Sequence, residues 1–285
     1  VSELANYVDE VGVNLVAVFI VFIARVFGFD VYTRLIRGGR AGRVRTRRLW
    51  RADTVLLYTD CDDELHTSNA LAKRLQAEMT EAGTRTKVSV VRDGGDLARW
   101  PFSRPIAGIV LLITDVTQLS SRPRERERLQ KRLAHYVRGG GCLVLGHDVI
   151  WRRSRNERLQ KLAGCSLDKF ERSDAPIRYT RVDSGPRACE YADLLADLPE
   201  SLDLSDNEVV VGTWHRDVDF LYCWDGDPEV PLVTRRVVGD GHVYWVNSGD
   251  TDGDGPPRSL ARPESGLVTL LATLVNHAKP TRKHR

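Results

Sequence analysis

Polar residues recur just after apolar runs of strand length. Thr54–Thr59 (TVLLYT) is followed by Asp60, Ile109–Thr114 (IVLLIT) by Asp115, and Cys142–Leu145 (CLVL), one glycine later, by His147 and Asp148. Asp250 follows the run VYWVNSG in the same way. Carboxylates beside an imidazole can exchange protons with a substrate, bind its hydroxyls, or hold a divalent metal. The segment after the first run adds Cys61, Asp62, Asp63, Glu64 and His66, with Ser68 just beyond. An aspartate after a strand also serves turns and helix caps, so any one of these has a purely structural reading. Their recurrence at several strand ends favours one shared site. No HExxH spacing selects a metal, and no GxSxG elbow presents a nucleophile. Cys61 is the thiol beside the presumed site, whereas Cys142 opens its strand at the opposite end and reads as core.

The elements that must position these residues follow from periodicity. The runs at Thr54–Thr59, Ile109–Thr114 and Cys142–Leu145 are continuously apolar, as expected of strands buried on both faces. Residues 87–92 alternate as a further strand. Between the strands lie helical segments: one capped by Thr67 or Ser68 and ended at Gly83, one capped by Ser121 and carrying Pro123 in its first turn, and one from Ser154 to Gly164. Strand–helix alternation predicts an open, mostly parallel, doubly wound α/β sheet. Ligands of such sheets bind outside the carboxyl ends of the strands, where the polar residues stand. The second half is less regular, with strands expected at 178–182, 220–223, 232–237 and 242–246. Gly239-Asp240-Gly241 reads as a hairpin turn, and a last helix spans about 263–278.

The N-terminal region differs in kind. Residues 1–51 hold nine Arg against four acids, a charge of +5, and the rest holds 33 basic against 35 acidic residues, or −2. Val11–Phe29 is apolar on every face, broken only by Asn14 and Arg25, and a helix of that length just spans a hydrocarbon core of about 30 Å. The Arg-rich side stays in the cytoplasm by the positive-inside rule. This predicts three parts: an apolar helix within 1–30 that anchors the chain to the inner face of the membrane, an Arg-rich linker at 31–53, and an α/β domain from 54 to 285. A helix buried in the domain or in a homo-oligomer is the main competing reading, and would leave the chain cytoplasmic. A nucleic-acid arm is disfavoured, because the arginines lack interleaved aromatics for base stacking. The five cysteines show no CxxC pair, which suits free thiols in a reducing compartment.

The order of several motifs resembles the ThuA-like (trehalose-utilisation) family of the class I glutamine amidotransferase-like fold. The matching stretches are Tyr136-Val137-Arg138-Gly139-Gly140-Gly141, the strand 142–145 with Gly146-His147, and Leu65-His66-Thr67-Ser68. Further matches are Leu198-Pro199, Leu204 to Glu208, Pro231, Gly239 to Val243, and Ser248-Gly249. The resemblance covers roughly 54–278. It implies sugar-related chemistry and raises His147 and His66 above their acidic neighbours; these two, with Asp148 kept from its strand-end position, are the catalytic candidates. Asp60, Asp115, Cys61, Ser68 and Asp250 remain as ligand-binding candidates. Two departures bear on activity: Gly249-Asp250 stands where the family has Gly-His, and Asn207 splits its Asp-Glu pair.

Two functional readings follow. One is an enzyme acting on a carbohydrate-like or other polar small molecule through histidine and aspartate, with Trp214, Trp224 and Trp245 as candidates to stack on a sugar face, core packing being the commoner role for such residues. The other is a membrane-tethered sensor or effector that binds a ligand or a partner protein without turnover. A divalent metal is compatible with either, and the spacing selects none.

Overall fold

The computed structural model describes residues 53–59, 65–84, 86–91, 94–100, 106–112, 119–120, 122–151, 154–185, 187–204, 206–225, 227–248 and 266–278. Side chains are described for all of these but residues 53, 59, 65–68 and 228. The expected anchor helix at 11–29 and the Arg-rich linker lie outside them. Among the described residues no helix is long and apolar enough to cross a membrane.

Eleven strands and six α-helices are described: β1 (Asp53–Thr59), α1 (Leu65–Glu81), β2 (Thr86–Val91), α2 (Gly94–Arg99), β3 (Ile106–Leu112), α3 (Pro123–Arg138), β4 (Cys142–Leu145), α4 (Glu157–Ala163), β5 (Cys165–Arg172), β6 (Arg178–Arg181), α5 (Ala192–Asp197), β7 (Ser201–Asp203), β8 (Glu208–Trp214), β9 (Val218–Trp224), β10 (Asp227–Val238), β11 (Gly241–Val246) and α6 (Leu267–His277). Nine strands form one sheet in the order β2-β1-β3-β4-β11-β10-β9-β6-β7, and β5 pairs with β8 in a separate ribbon.

The sheet changes character halfway across. From β2 to β11 all neighbours run parallel, as the strand–helix alternation predicts. From β11 outward every pairing is antiparallel, so the sheet is mixed rather than mostly parallel. The reason lies in the connections. Two residues each join β9 to β10 and β10 to β11, and a parallel return needs a crossover of a dozen residues or more.

Strand periodicity sets two buried faces. Val55, Leu57, Val110, Leu112, Val144, Tyr244 and Val246 belong to one core with Leu71, Leu75 and Met79 of α1 and most of α6. The alternate residues Leu56, Ile109, Leu111, Leu143, Leu145 and Trp245 are fully buried too, and so face the opposite layer, to which α3 brings Leu129, Leu133 and Val137. Each such side chain contributes about 1.5–3 kcal/mol of burial.

Helix starts depart from the expected caps. α1 begins at Leu65, so Thr67 and Ser68 fall inside its first turn. α3 begins at Pro123 behind Arg122, which offers no side-chain cap. The proline lacks one of the N–H groups a cap would serve. Ser154 precedes α4 by three residues, and its buried hydroxyl donates toward the carbonyls of Val149 and Trp151 instead. The short α2, the strand β7 and the β5–β8 ribbon carry no clear sequence signal. In β5 only Cys165 and Leu167 are buried.

The glycines near 140 and 240 lock α3 to the hairpin. Gly140 has φ +99°, a left-handed conformation that costs an L side chain dearly. A Cβ on Gly241 would sit 2.0 Å from the carbonyl oxygen of Val137 and 2.4 Å from that of Gly141. The hairpin turn expected at Gly239-Asp240 is present, with Val238 paired to Gly241.

Candidate functional site

The registers bring four strand ends level. Thr59 pairs with Leu112, Leu111 with Leu145, and Leu145 with Trp245. β1, β3, β4 and β11 therefore finish along one carboxyl edge, where ligands of such sheets are bound.

His147 and Asp148 stand at the middle of that edge, opening a 3-10 turn directly after β4. Their relative exposures are 2% and 7%. Nδ1 of His147 lies 3.0 Å from Oδ1 of Asp148. An aspartate so placed accepts the Nδ1 proton, fixes the tautomer and leaves Nε2 as the basic nitrogen. The backbone is clamped as well: His147 N–H donates to the Ser248 carbonyl at 3.2 Å, and its own carbonyl accepts from Trp245 Nε1 at 3.4 Å.

Ser248 links this pair to a second buried cluster. Its hydroxyl donates to Oδ1 of Asp206 at 3.3 Å, and Tyr179 donates to Oδ2 of the same carboxylate at 2.8 Å. Asn247 completes the edge. Its Oδ1 accepts from Val210 N–H at 3.1 Å, and its Nδ2 donates to the Glu208 carbonyl at 2.8 Å, tying β8 to the end of β11. Burial first, then the Asp206 charge, pushes the Tyr179 hydroxyl well above its ordinary range. It remains a proton donor at any ordinary pH.

Of the residues singled out from sequence, His147 and Asp148 are thus brought together. The backbone of His66 and Ser68 lies in the first turn of α1, and their side chains are outside the described set. Asp60, Cys61, Asp115 and Asp250 lie outside the described residues. Among those described, no three His, Cys, Asp or Glu side chains converge as a metal-ligand set.

Trp245 is fully buried in the core, the half-buried Trp214 tilts onto it at 5.3 Å and meets Phe220 edge-on at 6.0 Å, and the half-buried Trp224 packs against the core. Cys142 is buried in the core as expected, and burial pushes the thiols of Cys165 and Cys223 up to about 12, leaving them inert as nucleophiles. Asp206 and Ser248 had a sequence signal, since both fall in stretches that carry the ThuA-like resemblance. Tyr179 had none, because it arrives from an antiparallel strand far along the sheet.

No protein-family model matches the chain, and no curated protein matches it. Solved structures do. A ThuA-like protein of Bacteroides uniformis ATCC 8492 is similar at 15% identity and a TM-score of 0.50, over 80% of this chain and 89% of that one. A cytoplasmic protein of Salmonella typhimurium LT2 is similar at 12% identity and a TM-score of 0.54, over 79% and 99% of the two chains. A ThuA-like protein of Parabacteroides merdae ATCC 43184 follows at 16% identity and a TM-score of 0.49, over 80% and 89%. Likeness at this identity concerns architecture and leaves chemistry to the site itself. At the level of architecture, the mixed sheet and its helical layers give this chain the ThuA-like fold.

Proposed function

We propose that the domain binds a polar, carbohydrate-like small molecule at the carboxyl edge of its sheet and acts on it by acid/base chemistry. The observation that carries this reading is the buried contact of His147 Nδ1 with Asp148 Oδ1 at 3.0 Å. In the proposed mechanism Asp148 holds the imidazole in one tautomer, and Nε2 takes a proton from a substrate hydroxyl or carbon acid and later returns it. Asp206, Tyr179 and Ser248 hold the adjoining edge. His66, Asp60 and Asp115 are proposed to complete the pocket as acid/base partner and hydroxyl acceptors, with Cys61, Ser68 and Asp250 beside them. The apolar segment 11–29 is proposed to tether the domain to the inner face of the membrane, which fractionation of the full chain with and without detergent tests.

The decisive experiment is a substrate screen on the full chain with neutral and oxidised mono- and disaccharides, followed by His147→Gln. Loss of about a hundredfold or more in kcat is expected for a general acid/base. An unchanged rate on a substrate the wild type turns over would defeat the assignment.

A second reading is a module that binds the same class of ligand without turnover. It is favoured by the closure of His147, at 2% exposure, and by Asp250 in the place of the family's glycine-paired histidine. Saturable sugar binding with no product over long incubation would support it.

A further inference from the structure

A second polar site lies away from His147, in the groove between the starts of α3 and α4. It encloses about 320 Å³ and is lined by Arg126, Glu127, Arg155, Glu157, Arg158 and Lys161, with Gln130 at its base. Four cations face two carboxylates, a formal balance of +2. Glu127 is engaged by Lys131 at 2.7 Å and by Arg158 at 3.5 Å. Among the described residues no carboxylate comes within ion-pair distance of Arg155 or Lys161.

The backbone adds an independent observation. Arg155 has φ +56°, a left-handed conformation that is strained for a long side chain and free for glycine. Buried amides hold it there. Gln130, 4% exposed, donates from Nε2 to the Arg155 carbonyl and to Asn156 Oδ1, each at 3.3 Å. Its Oε1 accepts from Arg158 N–H at 3.1 Å. Asn156, fully buried, donates in turn to the Val149 carbonyl at 2.9 Å. The fold thus spends a buried amide network on keeping an arginine where glycine would be easier. Strain of this kind gathers at ligand clamps.

We propose that this groove binds the phosphate of a phosphate monoester. Guanidinium groups pair with phosphate oxygens through parallel hydrogen bonds, and the net charge of the lining matches a dianion. The volume sits at the lower end of small-molecule sites, and no aromatic side chain lines it, which disfavours a stacked nucleic-acid strand. The same chemistry belongs to a free sugar phosphate and to a phosphoinositide headgroup. The proposal is independent of any role for His147.

Calorimetry of the full chain with glucose 6-phosphate, inorganic phosphate and glucose tests it, alongside flotation with phosphatidylcholine vesicles with and without phosphatidylinositol 4-phosphate. Phosphate-dependent binding is expected in one arm, and the arm that responds identifies the source. Arg155→Gly relieves the strained φ while removing a charge. It should leave the thermal midpoint unchanged or raised, yet weaken that binding about tenfold or more. Arg158→Ala with Lys161→Ala, which leaves the turn alone, should give the same loss, and Glu157→Gln should tighten binding. No phosphate-dependent binding in either arm would overturn the proposal. So would binding that survives both the Arg155→Gly and the double variant.

Discussion

The hydroxyl of Tyr179 donates to Oδ2 of Asp206 across 2.8 Å, and because Ser248 donates to Oδ1 of the same carboxylate, the pair is tied to the end of β11 at the site edge. Both residues are buried. Tyr179→Phe keeps the ring, which packs edge-on to Tyr222 at 6.5 Å, and removes only the donor. Asp206 would then keep Ser248 alone of its two described side-chain donors. A loss of about 1–3 kcal/mol is expected for a buried carboxylate deprived of a hydrogen bond. Urea denaturation with an unchanged m-value would register it; stability equal to wild type would show that Asp206 does not need this bond.

Asp219 carries a larger effect. It accepts from Arg187 Nε and from Arg235 Nη1, each at 2.9 Å, and the side chains of Asp219 and Arg235 are only 3% and 7% exposed. Arg235 also lies over the Tyr191 ring, 4.8 Å from its centroid. Asp219→Ala leaves a buried guanidinium uncompensated, so about 3–5 kcal/mol should be lost. Replacing both partners, as in Asp219→Leu with Arg235→Met, should recover most of it. Chemical denaturation of the two variants beside wild type decides, and a double variant as weak as the single one would refute the explanation.

His242 predicts a pH dependence. It lines a cavity of about 500 Å³ at the amino edge of the sheet, with Tyr191, Arg235, Tyr244 and His277. Burial first, then the Arg235 charge, holds its imidazole below the ordinary value of 6.5. The unfolded chain therefore binds this proton more readily than the fold does. Its destabilising contribution is absent above 6.5, grows as the pH falls through 6.5, and is complete below the lowered folded value. Stability should rise with pH across that window, and His242→Gln should flatten the rise. Urea midpoints at about pH 5.5 and about pH 7.5 measure the slope, which should be the same in both proteins if His242 does not contribute.

Gly241→Ala tests the lock between α3 and the β10–β11 hairpin. The added methyl would meet two backbone carbonyls at 2.0 and 2.4 Å, and backbone yields less readily than side chains. Overpacking of this kind costs about 1–3 kcal/mol or more. Because β11 leads directly into Asn247 and Ser248, ligand binding at the carboxyl edge should weaken along with the melting temperature. A variant as stable as wild type would mean that the hairpin shifts freely against α3.

Sequence by itself determined the parallel half of this protein. Continuous apolar runs can be strands only where both faces are covered, and the helices between them can be placed only on those faces. That logic located β1, β3 and β4, set His147 and Asp148 at a carboxyl end, and identified the glycines around 140 and 240. Beyond the hairpin at Gly239-Asp240-Gly241 it left the direction of the later strands open, because short polar strands such as β5 and β7 carry little periodicity and direction depends on connection length. Tertiary structure alone decided that Tyr179 and Asp206, from the antiparallel side, meet Ser248 at the end of β11, and that Trp245 is fully buried. It also decided that Gln130, 25 residues from Arg155 in sequence, holds that arginine in a strained turn. Periodicity reports which face of an element is buried. Which polar groups meet across faces is fixed only when every buried donor and acceptor must find its partner.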